Sequence, residues 1–112
     1  MKTVDVKSAA VFPNPHGVDA REIYNTPNAL TVHIILKPGE ALKRYITPVN
    51  VFFYVLESRG TVEIGDEKRE VGPGTLIESP AKIVHCWYNT GDTNLRILVV
   101  KVPRPIGPAQ IL

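Results

Sequence analysis

Gly and Pro punctuate this chain so closely that no segment between them shows a convincing helical period with caps. Pro38-Gly39, Ser58-Arg59-Gly60, Gly65-Asp66-Glu67 and Gly72-Pro73-Gly74 each mark a turn, and Ser79-Pro80-Ala81 and Thr90-Gly91-Asp92-Thr93-Asn94 mark loops. Turn signals therefore recur roughly every 8–12 residues, the spacing of short strands in all-β sandwiches and barrels. The stretches between them suit a sheet. Ala29 to Leu36 is β-branched and apolar, Thr61 to Ile64 alternates cleanly, and Tyr45 to Thr47, Val51 to Leu56, Thr75 to Glu78, Val84 to Asn89 and Leu95 to Val102 complete the series. The 10 prolines add to the case against helix, because each removes a backbone donor and fixes φ. Phe12-Pro13-Asn14-Pro15-His16-Gly17 reads as a loop. The tail Pro103-Arg104-Pro105-Ile106-Gly107-Pro108 reads as extended, packing over a barrel edge or a neighbouring subunit.

A chain of 112 residues with 44% apolar and 21% charged residues is expected to form one globular domain, 1–112, with a substantial core. The net charge is only +2, and basic residues alternate with acidic ones, Lys68-Arg69 being the closest approach to a cluster. A nucleic-acid partner is not expected, since binding one requires a basic face that neutralises several phosphates. No run of about 18 apolar residues exists, so no membrane partner is expected either. Met1-Lys2-Thr3-Val4-Asp5 lacks the apolar region of a secretory signal. Cys86 is the single cysteine and cannot form an internal disulfide, which fits a reducing compartment; the expected location is cytoplasmic.

The most specific pattern runs from Gly74 to Asn89: Gly, five residues, Pro80, one residue, Lys82, two residues, His85, three residues, Asn89. Upstream, Gly39 is followed by Tyr45-Ile46-Thr47, Val51 and Phe53-Tyr54-Val55-Leu56. Together these segments, spanning about Thr31 to Val102, resemble the paired motifs of the cupin superfamily. The resemblance implies an all-β cupin jelly-roll barrel (a double-stranded β-helix), a scaffold that often holds a divalent metal as cofactor. In the usual first motif, His, His and Glu would stand at Tyr45, Thr47 and Val51, and Gly is more usual at Ser58. Of the expected metal ligands only His85 is retained, so the standard set is incomplete.

Strand parity says which side chains share a face. Tyr45 and Thr47 point together, inward by the resemblance, and His85, Trp87 and Asn89 share a face from which Cys86 and Tyr88 are excluded. Tyr45, Thr47, His85 and Trp87 are therefore the candidate ligand-binding set. His85 is the first candidate metal ligand. His33 is the second, but it shares a face with Thr31 and Ile35 while Leu30, Val32, Ile34 and Leu36 make the opposite, wholly apolar face. Val51 offers no lone pair, and Thr47 is a poor ligand for a divalent ion that normally wants about three converging donors. His16 could lid the barrel mouth from its loop. The leading expectation is a small-molecule-binding barrel. Its rivals are a metal-dependent dioxygenase or isomerase using His85 with non-standard ligands, and a metal-free acid–base enzyme in which His85 and Tyr45 face each other across the barrel; otherwise Tyr45 is a cavity-filling residue hydrogen-bonded to His85. Phe52, Tyr54 and Leu56 form an outward apolar stripe, from which a homodimer is expected.

Overall fold

The structure, a computed structural model, describes residues 1–107 and 110–112. Among the described residues ten strands follow one another: β1 (Asp19–Thr26), β2 (Ala29–Leu36), β3 (Tyr45–Ile46), β4 (Asn50–Glu57), β5 (Gly60–Ile64), β6 (Glu67–Val71), β7 (Leu76–Ser79), β8 (His85–Tyr88), β9 (Leu95–Val102) and β10 (Gln110–Ile111). A short 3-10 turn, Val6–Ser8, is the one helical element among the described residues. No helix there is long and apolar enough to cross a membrane.

The strands form two antiparallel five-stranded sheets, ordered β1-β2-β9-β4-β7 and β10-β3-β8-β5-β6. Their inner faces close on one core, as the jelly-roll expectation requires. Alternation builds that core. On β4, Val51, Phe53 and Val55 are buried while Phe52, Tyr54 and Leu56 are half-buried on the outer side. On β9, Leu95, Ile97 and Val99 are buried in the same rhythm, and on β2 Val32, Ile34 and Leu36 complete the wall. Trp87 on β8 and Val62 on β5 face them from the second sheet. Side chains of this size each contribute about 1.5–3 kcal/mol on burial, so the alternation itself fixes the register.

The glycine and asparagine spacing of the motifs is turn scaffolding. Gly39 and Gly74 have φ of +85° and +83°, the left-handed region that side chains rarely adopt. Gly39 N donates to the Asn89 carbonyl at 3.0 Å. The buried Asn89 amide donates to the carbonyls of Leu36 and Thr93, both at 2.8 Å, and its Oδ1 accepts from Gly91 N, so it pins the β8–β9 loop against the end of β2. Ser58 stands in the left-handed region at φ +67°, which explains why glycine suits that position.

Three elements go beyond the strands read from sequence: β1, the charged β6, and β10, which pairs with β3 through Ile111 and Tyr45. The proline-rich tail approaches the β1–β2 turn, with Arg104 N donating to the Pro27 carbonyl, before the chain returns as β10 to the barrel edge. Pro108 of that tail lies outside the described residues.

Candidate functional site

His85 begins β8 and is 1% exposed. Its Nδ1 lies 2.7 Å from Ser79 Oγ and its Nε2 lies 3.2 Å from Thr47 Oγ1, so both ring nitrogens are taken by hydroxyls of the protein. Ser79 ends β7 and is paired with Val51 on β4; Thr47 follows β3 and is itself fixed by Lys82 N donating to its carbonyl at 2.9 Å. Burial lowers the His85 pKa to about 4, with the positive charge of Lys101 and then His16 adding to the effect. The imidazole is therefore neutral at neutral pH.

Tyr45 and His85 are direct register partners on neighbouring strands. They do not face each other across the barrel. Their rings meet edge to face with centroids 4.2 Å apart, and no hydrogen bond joins them among the described residues. The expected cavity-filling Tyr45 is present, but His85 takes its hydrogen bonds from Thr47 and Ser79 instead. Below this pair, Phe53 packs edgewise on both His85 and Trp87, at 5.3 and 5.5 Å. Trp87 is fully buried, with its Nε1 lacking a partner among the described residues. Thr47, His85 and Trp87 thus sit in the packed interior, and of the four residues selected by parity Tyr45 is the one at a cavity wall.

That cavity, about 240 Å³, lies between the N-terminal loop and the first sheet. Val18, Ala20, Val32, Ile34 and Val99 supply most of its apolar wall, and Asn14, His16, Tyr45 and Lys101 its polar groups. The loop is shaped by Asn14, whose side chain donates to the carbonyls of Phe12 and Val18 and accepts from the amides of His16 and Val18. The His16 ring then meets Tyr45 edge to face at 4.8 Å, and its Nδ1 accepts from Lys43 N at 2.9 Å. With Nδ1 an acceptor, the neutral ring carries its proton on Nε2. Burial, Lys101 and Lys43 lower the His16 pKa, in that order.

Lys101 lies outside the motifs that select the candidate residues. Its signal was present: Leu95, Ile97, Val99 and Lys101 share one parity on β9, and the first three are core. In the register it stands beside Val51 on β4 and Leu30 on β2. Burial lowers its pKa. Among the described residues no carboxylate pairs with it.

His33 is buried on the other side of the first sheet. It accepts from Arg96 Nε at 3.1 Å and lines an outer hollow with Arg21, Glu57 and Lys7. Burial and then Arg96 lower its pKa. It does not converge with His85. Cys86 is buried with Sγ 2.9 Å from the Leu42 carbonyl, opposite His85 on its strand, as parity requires.

The residues do not fit a divalent metal. The one imidazole at a ligand position has both nitrogens engaged, Val51 and Thr47 stand where charged or imidazole donors would be needed, and burial raises the Tyr45 phenol pKa, disfavouring a phenolate.

Comparison with known proteins agrees with the architecture. The cupin domain family matches residues 32–101. A crystal structure of TT1209 from Thermus thermophilus superposes with a TM-score of 0.80 at 28% identity, covering 94% of this chain and 100% of that one. The polyketide cyclase RemF from Streptomyces resistomycificus gives 0.84 at 20% identity over 100% of this chain and 85% of its own, and KdgF from Halomonas sp. gives 0.82 at 17% over 92% and 95%. At those identities the last two share the fold alone. The uncharacterized protein MJ1618 of Methanocaldococcus jannaschii is 39% identical over 51 residues, 46% of this chain and 41% of that protein, so the match spans less than half of that relative. With more than half its length matched and both sheets in place, this chain belongs to the cupin family.

Proposed function

We propose that the barrel binds a small organic ligand, seated in the cavity bounded by His16, Tyr45, Val32, Val99 and Lys101. The observation that carries this reading is the hollow of about 240 Å³ beside Tyr45, with an apolar wall and a few convergent polar groups. Ligand sites have that make-up, and one for a drug-sized molecule usually measures roughly 300–1,000 Å³. The occupant is correspondingly small. His85, held by Thr47 and Ser79, supports the site from beneath by packing edge to face on the Tyr45 ring.

The enzymatic readings draw less support. A general base works best with a pKa near the operating pH, whereas that of His85 is lowered to about 4 and its nitrogens are occupied. Metal chemistry would require donors that Val51 and Thr47 do not supply. As a cytoplasmic protein, the reading suggested by its free Cys86, the chain would meet its ligand among small metabolites. We also propose a homodimer through the outer face of the first sheet.

Amide spectra recorded while screening small organic compounds test the site. Shifts should centre on Tyr45, His16 and the cavity strands β2 and β9. Hits that move only the outer face of the first sheet would refute it.

A further inference from the structure

The cavity lining has an unbalanced polarity. Three of its polar groups have no partner among the described residues, the Lys101 ammonium, the His16 Nε2–H and the Tyr45 hydroxyl, and each can donate. The Asn14 side chain, the other polar member, spends both its oxygen and its nitrogen on its own loop. Among the described residues no Asp or Glu lines the space. Around these donors the wall is apolar, mostly aliphatic (Val18, Ala20, Val32, Ile34, Val99) with the Phe12 ring beside them.

Lys101 is half-buried at the inner parity of a core strand, where partial loss of water makes an ammonium without a counter-charge unfavourable. The chain nevertheless places one there, directly beside Val51 in the β4–β9 register. A solvated lysine would need only the opposite parity, which Val100 and Val102 occupy.

We infer that the ligand is a compact organic monoanion, a carboxylate or an enolate on an apolar body, whose charged end pairs with Lys101 and accepts from Tyr45 and His16. This rests on the small-ligand reading above and narrows it. The downward shift of the free Lys101 pKa fits the same picture, because a bound anion would supply the missing charge and reverse it. Charge-assisted hydrogen bonds from an ammonium are about twice as strong as neutral ones, so the discrimination against an uncharged analogue should be large.

The experiment compares isosteric pairs by calorimetry and amide spectra: benzoate with benzamide, cyclohexanecarboxylate with its amide, isovalerate with isovaleramide. The inference expects the acid of at least one pair to bind at least about tenfold more tightly than its amide. It expects Lys101→Met to bring that ratio to about one, and Lys101→Arg to retain it, with both variants folded. Equal binding of acid and amide in the wild-type cavity would overturn the anion inference and leave the small-ligand reading standing. No binding of any pair in the cavity at millimolar concentration would overturn both. The wild-type ratio needs no variant, so a misfolded Lys101→Met would not obscure the answer.

Discussion

Thr47 Oγ1 lies 3.2 Å from His85 Nε2, one of the two ring nitrogens through which this histidine could hold a metal or ligand. With Ser79 on the other nitrogen, His85 works as a fastener between β8, β7 and the segment after β3. We predict weak or substoichiometric binding of Zn²⁺, Fe²⁺ or Ni²⁺ by elemental analysis of protein purified without added metal or chelator. Tight one-to-one occupancy, lost in His85→Ala, would show that the hydroxyls release the ring.

The same burial makes stability depend on pH. His85 is neutral in the folded barrel down to about 4, whereas the unfolded chain protonates it near 6.5. The unfolded state therefore binds more protons across that window, so this contribution is complete above pH 6.5 and is lost as pH falls toward 4. The shift corresponds to at most roughly 3 kcal/mol. His16 and His33 are lowered too and act with the same sign. Denaturant midpoints should fall between pH 6.5 and 4, and in His85→Gln the slope should be shallower. An unchanged slope would mean that His85 titrates as in the unfolded chain.

Two glycine-related substitutions should move stability in opposite directions. A Cβ on Gly60 would come within 2.5 Å of Leu95 Cδ2 and 3.2 Å of Trp87 Cζ3, so Gly60→Ala should cost about 1–3 kcal/mol by overpacking. Ser58→Gly should relieve the left-handed strain, worth about 1–2 kcal/mol, less the exposed bond to Thr93 Oγ1 that it removes. Thermal melts of the pair check both signs.

Much of the barrel was readable because its central strands alternate: Val51, Phe53 and Val55 could only be core once Phe52, Tyr54 and Leu56 were outside. The edge strands were not. β1 buries only Ala20 fully, and its alternation breaks at a register shift between Glu22 and Tyr24. β6 buries only Val71, and β10 is defined by its pairing with β3. The site divides likewise. Parity brought Tyr45, Thr47 and His85 together but could not show which of them the core would absorb. Ser79 sits beside Pro80 and looked like loop. His16 reaches Tyr45 only because Asn14 shapes the N-terminal loop, a contact with no local signal.

The outer face of the first sheet bears on assembly. Phe52 and Tyr54 neighbour Val100 and Leu98 on β9, and Leu76 on β7 is 52% exposed beside Tyr54. Sedimentation at micromolar concentration should report a dimer, shifted toward monomer by Leu76→Lys. A monomeric wild type would show that this face is left to solvent.

Crystals soaked with the tightest-binding organic acid give the most direct test of the central claim, that function resides beside Tyr45 rather than at His85. Ligand density is expected between Tyr45, His16 and Lys101, its charged end at Lys101, with the His85 bonds to Thr47 and Ser79 intact. Density bridging to His85 Nε2 after displacement of Thr47, or confined to the outer sheet, would contradict it.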